Sequence, residues 1–204
     1  MKGSLYTLAY ALVAGTICAA TLTAVGDFTQ PYITANEQAE KVRNILGVLG
    51  VSFDAKAPAE ELNALYETAV EEKESGGLTM YVHLEDGAVA VEFAGPGLWG
   101  PVEGLLALEA DKKRIRGVSF YKQEETPGLG GEIGSDKFRS QFKNKSIFSP
   151  DGKPGISILR VESAEKKANE VDGITSATMT CKKVQTMLNK VIVRIVEEQK
   201  ANGQ

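Results

Sequence analysis

The stretch that organises the rest of the chain lies near the C-terminus and reads Val171-Asp172-Gly173-Ile174-Thr175-Ser176-Ala177-Thr178-Met179-Thr180-Cys181. Asp-Gly followed by hydroxyl residues is typical of a turn that leads into a helix, because short polar side chains accept hydrogen bonds from the unpaired N–H groups of a first helical turn. Beyond Met179, apolar residues recur at steps of three and four and predict a helix to about Glu198: Val184, Met187, Leu188, Val191 and Ile195. We therefore expect Thr178 in or just before the first turn of this helix.

The start of this predicted helix has two interpretations. In the simpler one, the hydroxyl side chains only cap the helix. In the other, the free N–H donors and the positive end of the helix dipole hold a phosphate group, which requires no lysine. Taken alone, the residues from Asp172 to Thr180 are compatible with both interpretations.

The composition limits the classes of protein to which the chain can belong. It has 204 residues, 43% of them hydrophobic and 25% charged, with a formal net charge of −4, which is enough for one domain with a real core. No basic block occurs, and the acidic balance argues against nucleic acid as a partner. The two cysteines, Cys18 and Cys181, fall in different predicted helices, and no CxxC or histidine-rich cluster indicates a metal site. The single histidine, His83, is interpreted as an ordinary strand residue.

An apolar run near the N-terminus predicts a membrane helix. Leu5 to Val25 carries no charge over 21 residues, and such a helix is about 31 Å long against a hydrocarbon core of about 30 Å. We interpret it as an uncleaved anchor; a cleaved signal peptide, with small residues at Cys18-Ala19-Ala20, is the alternative. Because Lys2 and the amino terminus are the only charges before the run, the positive-inside rule predicts a cytoplasmic N-terminus. The predicted division is residues 1–26 as anchor and 27–204 as an extracytoplasmic domain.

The pattern of residues 27–204 predicts an α+β fold with an antiparallel sheet and packed helices. One helix is expected after Pro31, capped by Thr34 or Asn36, and a second from Ala57-Pro58 through Val70. Two hairpins are expected, 79–84 with 89–93 and 105–108 with 115–121, because Asp-Gly and Asp-Lys-Lys turns separate the paired runs. A short helix with Phe138 and Phe142 and a strand at 156–161 follow.

Two glycine-rich stretches lie between these elements. GPGLWG at 95–100 holds the only tryptophan, Trp99, and is predicted to be a shaped loop that forms either a packed corner or the wall of a ligand site. ETPGLGGE at 125–132 is predicted to be a second loop, in which Pro127 keeps Thr126 extended. Its glycines leave bare backbone that can approach a flat ligand closely, although the spacing is not that of a dinucleotide or Walker fingerprint.

These stretches together resemble a known family. Residues 172–178 resemble the flavinylation motif Asp-x-x-(Ser/Thr)-Gly-Ala-Thr, whose final threonine, here Thr178, carries FMN through its phosphate. Ser176 replaces the usual glycine of that motif, so a positive φ angle is costlier there. With GPGLWG, ETPGLGGE and Lys-Val-Arg-Asn-Ile-Leu at 41–46, the chain is similar to the family that contains the C subunit of the Na+-translocating NADH:quinone reductase and the G subunit of the Rnf ferredoxin:NAD+ oxidoreductase. Gly-Leu-Trp at 97–99 favours the quinone reductase member, whereas the chain length is nearer that of the Rnf member.

The resemblance implies an electron-transfer subunit in the bacterial inner membrane, with its main domain on the periplasmic or extracellular side. It implies covalent FMN, attached as a phosphoester to Thr178 by a separate Mg2+-dependent flavin transferase that uses FAD. The flavin would pass single electrons between neighbouring membrane subunits of a complex that moves Na+ or H+ and is fed by NADH or ferredoxin. The chain itself would supply neither a catalytic residue nor a metal ligand, and it would not be a complete enzyme alone.

The resemblance also implies a set of flavin-binding residues. Gly128, Leu129 and Gly130 are expected to pack against the flavin, and Glu125 and Thr126 to hydrogen-bond it. A negative Glu125 near the ring would disfavour the reduced anionic flavin, so Glu125→Gln is predicted to raise the midpoint potential. Trp99 either contacts the ring or only supports its loop. The remaining candidates surround the attachment point: Asp172, Gly173, Thr175, Ser176, Ala177 and Thr178.

Two other classes of protein remain open on these residues. One is a membrane-anchored sensor or binding module that holds flavin noncovalently. The other is an extracytoplasmic reductase that passes electrons directly to a soluble acceptor, but the sequence offers no His/Asp pair or arginine cluster for a carboxylate substrate. Because the run from Leu5 to Val25 contains no carboxylate, we expect the ion path to lie in partner subunits.

Overall fold

The structure, a computed structural model, describes residues 2–54, 56–160, 165–201 and 203. The chain divides into two compact units, Met1–Glu40 and Lys41–Gln204. The described part of the first unit is helical, and the second combines helices with an antiparallel sheet. The predicted α+β class, with a long apolar helix at the N-terminus, is therefore confirmed.

Helix α1 (Lys2–Leu49) supplies all of the described first unit. Among the described residues it is the one helix that is long and apolar enough to cross a membrane. Its threonine hydroxyls bond back to carbonyl oxygens one turn earlier, as in Thr16 Oγ1 to Leu12 O at 2.8 Å and Thr21 Oγ1 to Ile17 O at 2.8 Å. These hydroxyls therefore need no partner outside the helix, which suits an apolar exterior.

Pro31 does not end this helix, contrary to the sequence-based prediction. A proline inside a helix costs about 3 kcal/mol, because it removes one backbone hydrogen bond and crowds the preceding turn. Here α1 continues through Pro31, with many hydrogen-bonded turns on either side. The predicted cap residue Thr34 is interior, and its hydroxyl bonds to Gln30 O at 3.1 Å. The prediction of two separate helices was wrong.

The second unit is built on a five-stranded antiparallel sheet in which each strand pairs with the next one in the chain. Both predicted hairpins are present, with Met80 opposite Val91 in the first and Leu106 opposite Val118 in the second. The strands are β1 (Val70–Ser75), β2 (Leu78–His83), β3 (Val89–Pro96), β4 (Pro101–Leu108) and β5 (Ile115–Lys122).

Strand β1 was not predicted. Helix α2 (Ala59–Ala69) ends before Val70, and the charged residues Glu71 to Glu74 form an edge strand. Gly76 and Gly77 both have positive φ, at 58° and 71°, and make the turn into β2. Charges along an exposed edge strand protect it from pairing with other chains, which explains why the segment does not have the pattern of a buried strand.

Apolar side chains on the two faces of the sheet build two cores, because successive strand residues point to opposite faces. Helix α4 (Thr178–Ala201) covers one face with Val184, Leu188 and Ile192, which are fully buried. The other face packs against the last turns of α1 and against α2, through Ile45, Leu46, Leu49, Leu62, Ala90, Leu105 and Ala107. The predicted start and apolar face of α4 are confirmed.

Short elements connect the sheet to α4. Helix α3 (Asp136–Arg139) lies between two single 3-10 turns, Gly130–Gly134 and Ser140–Phe142. Phe138 of α3 and Phe142 of the second turn are buried. Strand β6 (Ser157–Leu159) is shorter than the predicted strand, whose last residue lies outside the described residues. It pairs in parallel with β7 (Glu170–Asp172), which was not predicted. The end of β7 leads directly into the turn before α4.

Candidate functional site

The turn between β7 and α4 is fixed at its first residue by backbone contacts. Gly173 N donates to Leu159 O at 2.8 Å, and a Cβ atom on Gly173 would collide with that same carbonyl oxygen. Ala177 N then donates to Ile174 O at 3.1 Å and Cys181 N to Ala177 O at 3.0 Å. Thr178 is consequently the first residue of α4, where a helix presents unpaired N–H donors.

Ser176 adopts the backbone conformation that its position in the motif suggested. Its φ angle is +68°, in the left-handed region that L-residues other than glycine rarely adopt. Its side chain is exposed, so no packing interaction compensates for the strain. A glycine would adopt this conformation without the clash of a Cβ atom.

The four hydroxyl residues of the stretch differ in accessibility. Thr175 and Ser176 are exposed, and Thr178 is half-buried. Thr180 is only 1% exposed, and its Oγ1 donates to Glu125 Oε2 at 2.7 Å. Solvent and ligands can therefore reach the first three hydroxyls but not the fourth.

Thr178 lines a small cleft between strand β6 and helix α4. The cleft has a volume of about 240 Å³, and Arg160, Cys181 and Lys182 also line it. Cys181 accepts a hydrogen bond from Ile174 N at 3.3 Å, and burial raises the pKa of its thiol. A thiol that stays neutral is a poor nucleophile, and Cys181 is also only 4% exposed.

A larger cavity of about 510 Å³ shares Gly173 and Ile174 with this cleft. Its size falls within the range of small-molecule sites. Four predicted residues line it, Asp172, Gly173 and Thr175 from one motif and Gly128 from another, so two separate stretches of sequence meet at one cavity. The cavity is also lined by residues that were not predicted as site residues, which are Glu132, Ser135, Lys137, Phe138, Gln141 and Lys166.

Two of these additional residues hold Asp172 in place. Gln141 Oε1 accepts from Asp172 N at 2.9 Å, and Gln141 Nε2 donates to Asp172 O at 3.3 Å. Lys166 forms an ion pair with the Asp172 carboxylate. Neither has a local sequence signal, because both contacts depend on how α3 and the segment before β7 pack against each other.

Glu125 lies in the 125–132 stretch, and its side chain contacts the other two stretches, the 95–100 loop and the start of α4. Its side chain is 5% exposed, and Oε1 accepts from Leu98 N at 2.5 Å and from Trp99 N at 3.3 Å. Oε2 accepts from Thr180. Both carboxylate oxygens therefore already have protein partners, and the expected hydrogen bond from Glu125 to a flavin stays a prediction.

Some of the glycines are required by this buried carboxylate. A Cβ atom on Gly130 would lie 2.5 Å from Glu125 Oε2 and 2.7 Å from Thr180 Oγ1, and one on Gly97 would collide with Glu125 Oε1. Gly128 differs, because it is exposed, has a φ of +75° and faces open space. Its neighbours Thr126 and Leu129 are exposed as well, whereas Gly130 is buried. The expected packing of Gly130 against a flavin stays a prediction.

The loop that carries Trp99 is shorter than predicted. Strands β3 and β4 extend to Pro96 and Pro101, which face each other in the ladder, and Gly97 N donates to Gly100 O at 2.7 Å to close the turn. Trp99 is 71% exposed and lines an open cleft of about 440 Å³. Its side chain does not pack into a corner of the protein, and its contact with a ligand stays a prediction.

Comparisons with known proteins agree with this geometry. Residues 97–193 match the model of the FMN-binding domain family, a range that contains both glycine-rich stretches from Gly97 onward and the turn at Thr178. The C subunit of the Na(+)-translocating NADH-quinone reductase of Yersinia pestis is 37% identical over 101 residues, which cover 50% of this chain and 38% of that protein. Its Pseudomonas aeruginosa counterpart is 33% identical over 143 residues, covering 66% of this chain and 55% of that protein.

Solved structures show the same fold. The crystal structure of the Na(+)-translocating NADH-quinone reductase C subunit from Parabacteroides distasonis superposes with a TM-score of 0.66 at 25% sequence identity, covering 82% of this chain and 94% of that chain. The chain spans only 38% to 55% of the length of the two sequence relatives. The chain is therefore similar, through residues 97–193, to the FMN-binding domain family, and it is similar to the C subunits of the Na(+)-translocating NADH-quinone reductases.

Proposed function

We propose that this chain carries FMN in covalent linkage to Thr178 and relays single electrons within a membrane-bound, ion-translocating oxidoreductase. The observation that carries the proposal is the position of Thr178, which is half-buried at the first residue of α4 and lines a cleft next to a ligand-sized cavity. Thr180, the other hydroxyl residue in the first turn of α4, is buried and donates a hydrogen bond to Glu125. The match of residues 97–193 to the FMN-binding domain family supports the choice of cofactor.

The residues around the turn fit a flavin nucleotide. The N-terminus of α4 and Lys182 would hold the phosphate, because unpaired N–H groups, the helix dipole and a cation all favour an anion. Gly128, Leu129 and Trp99 offer exposed surface for the ring. When bound, FMN would supply the one-electron redox chemistry. The protein's own part is to hold the cofactor, orient it and restrict access of water.

The proposed location is the bacterial inner membrane. The apolar part of α1 would cross the bilayer once, with residues 27–204 on the periplasmic or extracellular side. On that side little free flavin is at hand to replace a lost cofactor, so a covalent bond at the far end of the ribityl chain has a clear advantage. A separate flavin transferase would form this bond, and the partners would be the other membrane subunits of the complex.

The complex is proposed to be a Na+-translocating NADH:quinone reductase, because the sequence and structural relatives are C subunits of that enzyme. The G subunit of the Rnf ferredoxin:NAD+ oxidoreductase belongs to a related family and is the alternative. Purification of the complex from native membranes, followed by identification of the accompanying subunits, separates these two complexes. The subunits found also indicate the electron donor.

The covalent linkage is tested by coexpression of the full chain with a flavin transferase. The denatured wild-type band should fluoresce under ultraviolet light and gain the mass of FMN less water, and Thr178→Val should do neither. Thr186→Val is the matched control, because Thr186 is an exposed threonine of the same helix. Fluorescence that survives Thr178→Val would place the attachment at Thr175 or Ser176. Flavin that is lost on denaturation of the wild type would contradict the linkage and favour noncovalent binding.

A further inference from the structure

Helix α1 carries two exposed aromatic side chains just beyond its charge-free run. Phe28 and Tyr32 are 73% and 65% exposed, and their ring centroids lie 6.1 Å apart, as expected for residues four apart on one face of a helix. Ile33 beside them is 45% exposed. The predicted domain boundary at residue 26 would place all three side chains in water, although adjacent exposed apolar side chains of this size usually mark an interaction surface.

Asp27 limits how far the hydrocarbon core of a bilayer can extend along α1. It is the first acidic residue of the chain and lies two residues beyond the charge-free run. Pro31, inside the helix, has no N–H group, so the carbonyl oxygen of Asp27 also lacks its usual helical donor. A carboxylate and a carbonyl oxygen without a donor are both costly in hydrocarbon, where no water reaches them. The hydrocarbon core therefore ends before Asp27.

The polarity of α1 changes again after Ile33. Residues 34–40 read TANEQAE, with two glutamates and no large apolar side chain, which is typical of a helix surrounded by water. The segment between these limits, residues 27–33, combines polar with large apolar side chains. Such a mixture suits neither hydrocarbon nor bulk water, but it suits the headgroup layer between them.

The geometry of the helix matches the thickness of that layer. At a rise of about 1.5 Å per residue, Phe28 and Tyr32 lie about 1.5 and 7.5 Å beyond Asp27, and the headgroup layer on each side of the hydrocarbon core is about 5–7.5 Å thick. A core of about 30 Å that ends at Gly26 begins at about Tyr6, which is 76% exposed. Aromatic residues therefore fall at both boundaries, a spacing that a bilayer requires and a packed protein partner does not.

We propose that Phe28 and Tyr32 anchor α1 in the headgroup layer of a phospholipid bilayer, so that residues 27–33 belong to the membrane interface and not to the extracytoplasmic domain. This inference rests on the proposed crossing of the bilayer by α1. Side chains of a helix lean toward its N-terminus, so both rings lean back toward the acyl chains. The ring of Tyr32 presents an apolar body to these chains and a hydroxyl to the headgroups, a combination that is enriched at membrane interfaces.

The test uses depth-dependent fluorescence quenching in the flavin-free full chain, reconstituted into phosphatidylcholine vesicles. Trp99→Phe removes the only tryptophan, and Phe28→Trp or Tyr32→Trp then introduces a new one. Ile17→Trp, in the charge-free run, reports on the bilayer interior, and Asn36→Trp, in the polar segment, reports on water. All of these side chains are exposed, so none of the substitutions removes core packing. The lipids carry bromine atoms, which quench tryptophan on contact, near either the carbonyl end or the methyl end of their acyl chains.

Bromines near the carbonyl end should quench Phe28→Trp and Tyr32→Trp more strongly than bromines near the methyl end, by about twofold or more, because the two positions lie at different depths. Ile17→Trp should show the opposite order. Asn36→Trp should be quenched by neither lipid and should be accessible to iodide in the water.

The crossing and the anchor fail in different ways. If bromines at neither depth quench Ile17→Trp, α1 does not cross the bilayer, and the anchor is wrong together with the proposed membrane location. If Ile17→Trp is quenched but Phe28→Trp and Tyr32→Trp behave like Asn36→Trp, the crossing is supported and the anchor alone is wrong, with water or a protein partner around the rings. Stronger quenching of Phe28→Trp by bromines near the methyl end would also overturn the anchor, because the ring would then lie in the hydrocarbon core.

Discussion

Thr180 and Glu125 are joined by a buried hydrogen bond, in which Thr180 Oγ1 donates to Glu125 Oε2 at 2.7 Å across 55 residues of sequence. The other carboxylate oxygen accepts from the backbone of Leu98 and Trp99. One buried side chain thus connects the first turn of α4 to both glycine-rich loops. The shape of the candidate site depends on this contact as much as on the residues that line the cavities.

We therefore expect Glu125→Gln to destabilise the protein by about 2 kcal/mol, since hydrogen bonds to a charged acceptor each contribute about 1.5–3 kcal/mol. The amide nitrogen of glutamine cannot accept from a backbone N–H or from the Thr180 hydroxyl. Urea unfolding of the two proteins measures the difference. Glu124→Gln is the matched control, because Glu124 is the exposed carboxylate next in the chain. Equal unfolding free energies for Glu125→Gln and wild type would show that the contact adds nothing.

The same variant, loaded with flavin, tests the sequence-based prediction that Glu125 lowers the midpoint potential. Removal of a nearby negative charge should raise the potential, because the reduced anionic flavin is then less disfavoured. A redox titration of wild type and Glu125→Gln gives the answer. An unchanged potential would leave Glu125 as a residue that positions the loops and does not tune the cofactor.

Ser176→Gly should stabilise the protein by about 0.5–1 kcal/mol. Relief of the left-handed conformation at φ +68° gains roughly 1–2 kcal/mol, and the greater backbone freedom of glycine in the unfolded chain offsets about 0.5–1 kcal/mol of that gain. Thermal or urea unfolding measures the difference. Thr175→Gly, at the neighbouring exposed residue, has no positive φ to relieve and should not stabilise. A destabilised Ser176→Gly would mean that the serine side chain makes a compensating interaction.

Trp99 should contribute little to folding. Its side chain is 71% exposed, so Trp99→Ala should change the unfolding free energy by no more than about 0.5 kcal/mol, as is usual at surface positions. Phe93→Ala in the adjoining strand removes a buried ring and should cost about 3–5 kcal/mol. Chemical denaturation of the two variants makes the comparison. A large loss for Trp99→Ala would instead indicate a structural role for its loop.

Because Trp99 is the only tryptophan, its fluorescence reports on one place in the molecule. In the flavin-free protein we expect emission like that of solvated indole and efficient quenching by iodide. Covalent loading with FMN should quench this emission and shield it from iodide if the ring lies against Trp99. Tryptophan emission and iodide access that are the same before and after loading would place the flavin away from this loop.

Asp86 should make stability depend on pH in the acid range. Partial burial acts to raise the pKa of Asp86, but hydrogen bonds from Arg116, the Ala88 backbone and His83 outweigh it and lower that pKa from 3.8 to about 2. A carboxylate whose pKa is lowered in the folded state stabilises the fold at pH values above its pKa in the unfolded chain. The contribution of Asp86 is therefore present above pH 3.8 and is lost as the pH falls through about 2. With 39% of the side chain exposed, solvent screening limits the contribution to about 1 kcal/mol or less.

Urea unfolding of wild type and Asp86→Asn between about pH 2 and pH 6 measures this dependence. The difference in unfolding free energy between wild type and Asp86→Asn should be constant at the upper end of this pH range and shrink toward its lower end. Glu85→Gln, at the adjacent exposed carboxylate, provides the comparison at each pH. A difference that stays the same throughout the range would mean that the ion pair with Arg116 does not stabilise the charged form of Asp86.

Local sequence signals predicted the elements that are determined locally. The hairpins follow from Asp-Gly and Asp-Lys-Lys turns between apolar runs, and the start of α4 at Thr178 follows from a polar turn before a helical repeat. Strand β1 was missed because its charged residues have neither a strand-like alternation nor apolar character. The break expected at Pro31 did not occur, because one lost hydrogen bond is a small part of a 48-residue helix.

The motif residues that line the candidate cavity were named from the sequence, and the residues that distant segments bring to it were not. Asp172, Gly173, Thr175 and Gly128 lie together around one cavity, as their positions in the motifs suggested. Lys166 and Gln141 were identified only from their contacts with Asp172, and nothing in their own sequence neighbourhood indicates a place in the site. Glu125 was picked out for a ligand contact, but its protein partners in two other stretches could be identified only from the fold.

The tight fit of Gly173 against Leu159 has one more consequence. The turn that precedes α4 is held by the protein's own backbone hydrogen bonds, so it is preorganised and does not have to become ordered when a ligand arrives. Binding of a cofactor there costs little conformational entropy, because no mobile loop has to become ordered. Substitution of Gly173 by alanine would thus disturb the receptor before any ligand is present, even though no side-chain contact is removed.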